Sequence, residues 1–230
     1  MNRYITKGIV LNRTDYGEAD RIIHFLTTDH GKIATMAKGV RRSKAKLAGS
    51  VELFSISDLT ILPGKSDIDT LMSARLDTHF GNIVKDLSRT ELGFELLRRA
   101  DKATEDQPEP GYFETLALSL AGLNNIDLDP ALVELWFNLR ILKLSGHSPN
   151  LEMDYTGKPL AEAKNYEFKA DHMNFAVSGR GRYNVNHIKL LRLATVAKKP
   201  DLLGKVKGVD ELAKPIVPLV QTMLQTYVRL

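Results

Sequence analysis

The run DRIIHFLTTDHGKIATMAKGV, Asp20 to Val40, sets two segments rich in β-branched residues on either side of Asp29-His30-Gly31. Asp and Gly are turn formers, so the spacing predicts a β-hairpin. RYITKGIVLNR (Arg3–Arg13) precedes it with the same strand-like composition. VELFSISDLTIL (Val51–Leu62) and DTLMSARLDTHF (Asp69–Phe80) follow, divided by the breaker Pro63-Gly64. Five short antiparallel strands in about eighty residues is the size of an OB-type barrel. An SH3-like barrel has a similar strand count, and periodicity does not separate the two.

From Gly81 the period changes. Ile83, Leu87, Leu92, Leu96 and Leu97 recur at helical spacing, until Pro108 and Pro110 interrupt the pattern. YFETLALSLAGLN (Tyr112–Asn124) and DPALVELWFNLRILKLSG (Asp129–Gly146) read as two more helices. The second has Asp129 as N-cap, Pro130 at the first helical position and Gly146 as its stop. Residues 148–183 lack a helical period and read as a small irregular or β insertion. VNHIKLLRLATVAKK (Val185–Lys199) and the segment from Val209 resume helix, with Pro215 and Pro218 expected near a helix start or at a kink. The chain is therefore α+β: a five-stranded barrel over residues 1–80, then a mostly helical domain over 81–230 with an insertion at about 148–183.

At 230 residues and 43% hydrophobic, the chain can bury one sizeable core or two modest ones. Apolar runs fall short of the roughly 18 residues that a membrane helix needs. The start, Met1-Asn2-Arg3-Tyr4, has no apolar signal-peptide core, and cysteine is absent. Disulfides, thiolate metal sites and cysteine nucleophiles are thereby excluded, and a reducing, cytoplasmic setting is expected.

Catalytic patterns are equally scarce. Gly64-Lys65-Ser66 looks like the end of a phosphate-binding loop, but the glycine required five positions earlier is Leu59. The histidines (His24, His30, His79, His147, His172, His187) are scattered and make no pair at helical metal spacing. Glu18 and Asp20 have no partnering histidine cluster. An enzyme is not expected, and neither is a cofactor.

Charge is the informative feature. The net +4 divides into +3 over residues 1–80, −4 over 81–150 and +5 over 151–230. Lys32, Lys38, Arg41, Arg42, Lys44 and Lys46 lie within nineteen residues that contain no acid. They flank Gly39 and Gly49 and repel one another unless an anion is present. On an OB-type barrel such a cationic edge tracks phosphates while aromatics stack on bases. Tyr4 and Tyr16 are available for stacking; Phe25 lies in so apolar a run that core packing suits it better. A second basic stretch, Arg180 to Lys207, holds eight cations, Lys198, Lys199, Lys205 and Lys207 among them, against the single acid Asp201. A solvated helix face would have the same composition.

The stretch YGEADRIIHFLTTDHGKIATMAKGVRRSKAKLAGSVELF (Tyr16–Phe54) resembles the signature of the RecO family of recombination mediators. The shared features are a Tyr-Gly-Glu-x-Asp turn, a Leu-Thr-x-x-x-Gly-Lys hairpin, and Ala-Lys-Gly before a basic stretch. The similarity continues through Glu95–Ala100 and FNLRILKLSGHSPNL (Phe137–Leu151), with its Gly-x-x-Pro turn. The resemblance implies an OB-fold, a helical domain and a small inserted module. It also implies an activity: binding single- and double-stranded DNA, annealing complementary strands, and helping to load RecA onto DNA covered by single-strand-binding protein. RecR and the C-terminal tail of single-strand-binding protein are the implied partners, in a nucleoid-associated setting. An adaptor that mainly binds that tail, with DNA contact secondary, is the competing reading.

The sequence departs from the family at one place. Many members carry a four-cysteine zinc module after the Gly-x-x-Pro turn. Met153 and Thr156 stand where the first cysteine pair would fall, and Ser178 and Gly181 are candidates for the second. None supplies a thiolate, so the insertion is expected to be zinc-less and held by packing of Tyr166, Phe168 and Phe175.

Overall fold

The structure is a computed structural model that describes residues 2–42, 47–65, 67–104, 110–160 and 165–228. Five strands, β1 (Tyr4–Tyr16), β2 (Asp20–Thr27), β3 (Lys32–Ala37), β4 (Ser55–Leu62) and β5 (Ile68–His79), close into a barrel of order β1-β2-β3-β5-β4. Four pairings around the ring are antiparallel; β3 and β5 run parallel, Ala34 opposite Ile68. The all-antiparallel expectation fails there because β4 intervenes in sequence and the chain returns across the barrel to reach β3. Closure depends on the length of β1. Its first half pairs with β4 and its second half with β2, with a register shift between Val10 and Asn12 that bends the strand between its two partners.

Strict alternation makes β4 half-buried: Ser55, Ser57, Leu59 and Ile61 point inward and their neighbours outward. The barrel core is Val10, Ile23, Phe25, Leu59, Ile61 and Leu71, capped by Val40 and Val51 from the connection between β3 and β4. Phe25 is fully buried, as its apolar surroundings foretold. Gly31, at φ +63°, turns the β2–β3 hairpin, and its carbonyl accepts the Thr27 amide at 2.8 Å.

Two compact units divide the chain, Met1–Asn124 and Asn125–Leu230. The first contains the barrel with helices α1 (Leu87–Ala103) and α2 (Tyr112–Asn124). Asp86 caps α1 by accepting the Arg89 amide at 2.9 Å. Gly93 on α1 meets the buried ring of Phe54; a Cβ there would come within 2.8 Å of that ring.

The second unit holds α3 (Pro130–Leu144), a two-stranded sheet of β6 (Tyr166–Lys169) and β7 (Asn174–Val177), α4 (Val185–Val196) and α5 (Val209–Val228). Asp129 caps α3 through the Ala131 amide, and Pro130 opens it. At the other end Gly146, at φ +78°, donates to Lys143 O while His147 donates to Leu142 O, a Schellman termination. Pro215 and Pro218 lie inside α5, beyond its first turn, so neither can donate to the carbonyl four residues before it.

The insertion folds around a carboxylate and an aromatic cluster. Asp154, buried apart from 4% of its surface, accepts from the Thr156 amide, the Thr156 hydroxyl and the Lys158 amide at 2.7–2.9 Å. Gly157, at φ +80°, completes that turn. Tyr166 and Phe175 are buried, and Phe168 and Tyr183 stand edge-on against Phe175 at 5.1 and 5.8 Å.

Of the four positions that the resemblance sets against cysteines, three do not suit zinc. Thr156 is committed to Asp154, and Met153 offers no anionic ligand. At Gly181 the space for any side chain is taken: a Cβ would lie 2.4 Å from the carbonyl carbon of Tyr166. Among the described residues no group of three His, Asp or Glu side chains gathers as a metal site.

Candidate nucleic-acid interface

The connection leaving β3 is tied to the turn between β1 and β2. Asp20 accepts the Gly39 amide at 2.7 Å, and the Arg41 amide reaches Ala19 O at 3.0 Å. Gly39, at φ +66°, and the Arg42 amide bonded to Gly39 O make the tight turn. Val40 is buried in the barrel end, which leaves Lys38, Arg41 and Arg42 pointing out. The neighbouring turn ends β1 with Tyr16, exposed over 55% of its surface. One rim of the barrel thus carries an exposed aromatic beside a cluster of cations.

The cations are not equivalent. Arg41 lies 3.4 Å from Asp15, a carboxylate it shares with Arg21 at 2.8 Å. The hydrogen bond from Arg21, with the charge of Arg41 behind it, holds the Asp15 carboxyl below the usual carboxylate range. Among the described residues no carboxylate pairs with Lys38 or Arg42. Lys32 lies at the opposite end of β3 and gives its ammonium to Asp101 on α1 at 3.0 Å. Its charge is already neutralised within the fold, so the expectation of an unpaired cation does not hold for it. Lys44 and Lys46 fall outside the described residues.

Asp101 belongs to a wider polar network. It accepts from Asn12 Nδ2 at 2.8 Å, and Asn12 Oδ1 lies 2.6 Å from His24 Nδ1. Of the candidate stacking aromatics, Tyr4 is engaged: its hydroxyl bonds Asp69 at 3.2 Å and its ring lies against His30. Burial, then the charge of Asp69, pushes the Tyr4 hydroxyl up to about 12. Tyr16 remains the aromatic of this rim.

In the second unit Lys198 and Lys199 follow α4, Lys205 ends a short helical turn over Pro200–Lys205, and Lys207 follows it. All four are exposed. The segment is fixed beneath them by the Trp136 indole, which donates to Ala197 O at 2.9 Å, and by the buried side chains of Pro200 and Leu203. Lys199 and Lys205 border a polar hollow of about 370 Å³ that also contains Asp127 and Asp201. Lys189 and Lys207 border a separate groove of about 330 Å³ walled by Leu190, Leu193, Val206 and Leu212. Arg192, in the same basic stretch, is turned inward to Leu151 O.

The strand order, with its parallel β3–β5 closure, defines an OB-type barrel protein with a helical second unit. Residues 1–80 match the family described as "Recombination protein O N terminal" and residues 92–230 the one described as "Recombination protein O C terminal". The chain belongs to the RecO family. It is 27% identical over 241 residues to the DNA repair protein RecO of Listeria monocytogenes serotype 4b, covering 96% of this chain and 88% of that one. The RecO of Bifidobacterium adolescentis is 33% identical over 172 residues, 73% of this chain and 70% of its own. That of Dehalococcoides mccartyi strain 195 is 35% identical over 147 residues, 64% of this chain, and the match spans 57% of the relative's length.

Proposed function

We propose that this protein is a non-enzymatic recombination mediator that binds single- and double-stranded DNA and anneals complementary strands. The observation that carries the reading is the barrel rim, where Lys38 and Arg42 stand without carboxylate partners among the described residues, beside the exposed ring of Tyr16. Cations that the fold leaves unpaired are free to displace counterions from phosphates, and a free aromatic gives a base a surface to stack on. Arg41, Lys44 and Lys46 add positive charge in the same stretch of sequence, and Lys198, Lys199, Lys205 and Lys207 supply a second patch. Positive charge facing each of two strands lowers the repulsion that opposes their pairing. Membership of the RecO family favours the same reading, with RecR, RecA and single-strand-binding protein as partners in loading the recombinase.

A second reading has its own observation. The groove between α4 and the start of α5 has apolar walls and lysines at its edge, which suits an acidic, partly apolar tail such as that of single-strand-binding protein. Affinities for single-stranded DNA, duplex DNA, RNA and an acidic tail peptide, measured side by side, separate the two. A mediator binds both DNA forms tightly; an adaptor binds the peptide well and DNA poorly.

A further inference from the structure

A hollow of about 800 Å³ opens between the β6–β7 insertion and α5, all within the second unit. Its apolar walls are Phe168 and Tyr183 from the insertion and Pro215, Pro218 and Leu219 from α5. Arg180 and Arg182 stand at its edge, both outside the buried core. The hollow's one carboxylate among the described residues, Glu167, lies 3.4 Å from Lys169. No carboxylate among the described residues pairs with either arginine, so the mouth is left net positive.

The two arginines are held in place. They flank Gly181, whose backbone packs so closely on Tyr166 that no side chain fits between them. Tyr183 and Tyr166 exchange backbone hydrogen bonds at 2.7 and 3.1 Å, fixing the turn against β6. A pair of guanidiniums two residues apart on a fixed turn, over an aromatic and proline surface, is a site for an anionic ligand with flat apolar groups.

A peptide suits it less well. One mode of peptide binding adds a strand to a free sheet edge, and here single bridges already take one position on each edge, Tyr166 with Tyr183 and Phe175 with Asp154. The prolines on the α5 wall have no amide to donate. Recognition here relies on flat apolar contact and charge, which is how single strands are bound without regard to sequence.

We propose that this hollow holds a short segment of single-stranded DNA, its bases against Phe168, Tyr183 and the prolines and its phosphates on Arg180 and Arg182. The proposal rests on the reading of the protein as a DNA binder and adds a second, shaped contact to the barrel rim.

The test uses the full chain with oligo-dT carrying 5-iodouracil, and the variants R180A/R182A and R180K/R182K. Photocrosslinks should map to Tyr183 or Phe168. R180A/R182A should lose roughly tenfold to thirtyfold in affinity at about 0.1 M salt and lower the salt slope by about 1.4, while R180K/R182K restores most of that slope. Unchanged binding by R180A/R182A, with crosslinks only elsewhere, overturns the site and leaves the barrel reading standing. Absence of any single-strand binding by the unmodified protein overturns both. An acidic peptide whose binding is lost in R180A/R182A while DNA binding persists makes the hollow a peptide site, and overturns the proposal too.

Discussion

The ammonium of Lys32 lies 3.0 Å from Oδ1 of Asp101 and 2.9 Å from the carbonyl oxygen of the same residue, joining the first position of β3 to the last turn of α1. The pair is half-buried, and Asn12 and His24 extend it across β1 and β2. Lys32→Ala leaves Asp101 without its cation and should cost about 1–2 kcal/mol, a drop of a few degrees in melting midpoint. The salt slope of DNA binding should be unchanged. A slope that flattens with no loss of stability would show that Lys32 contacts phosphate despite its pairing.

Annealing needs positive charge toward two strands at once, and one rim of a small barrel screens one strand well. Replacing Lys198, Lys199, Lys205 and Lys207 together by Ala should therefore depress annealing more than single-strand binding. Both are measured on the same variant at one salt concentration, after its melting curve is shown to match. Equal factors would mean one continuous site, or a face for a protein partner.

Asp154 gives the insertion a pH dependence. The hydrogen bond from the Thr156 hydroxyl, followed by the Lys158 amide, holds its carboxyl below the usual carboxylate range. A depressed folded value means the stabilisation is complete above the unfolded carboxylate pKa, about 4, and is lost as pH falls through the lower folded value. Asp154→Ala should melt earlier than the unmodified protein at pH 7, and the gap should close as pH drops below about 4. A gap that stays constant across that range would remove Asp154 as the organiser of the turn.

Zinc should play no part in this stability. With the Tyr166 backbone filling the place of a side chain at Gly181, the purified protein is expected to carry no stoichiometric zinc and to keep its melting midpoint in a chelator. About one zinc per chain by elemental analysis would contradict this.

Local signals were legible in the sequence wherever one element settled the matter. Alternation marked β4, Asp129 and Pro130 marked the start of α3, and Gly146 marked its end. Pairings between distant positions were not. The parallel β3–β5 contact depends on barrel closure, which no local pattern encodes. The basic run looked uniform, yet the fold neutralises Lys32 with a residue 69 positions away and divides Asp15 between Arg21 and Arg41. Tyr4 and Tyr16 looked alike as stacking candidates until Asp69 took the hydroxyl of one. The Phe168–Tyr183 hollow could not be read at all, because its other wall comes from α5, and the two prolines there looked like helix punctuation.

The salt dependence of single-strand binding probes the barrel rim most directly. Arg41, Arg42, Lys44 and Lys46 are replaced together by Ala, and log affinity for oligo-dT is followed against log salt. The expected result is weaker binding to every sequence alike, with a slope shallower by roughly 0.7 for each phosphate no longer neutralised. A correctly folded variant with an unchanged slope would contradict the barrel rim as the DNA interface.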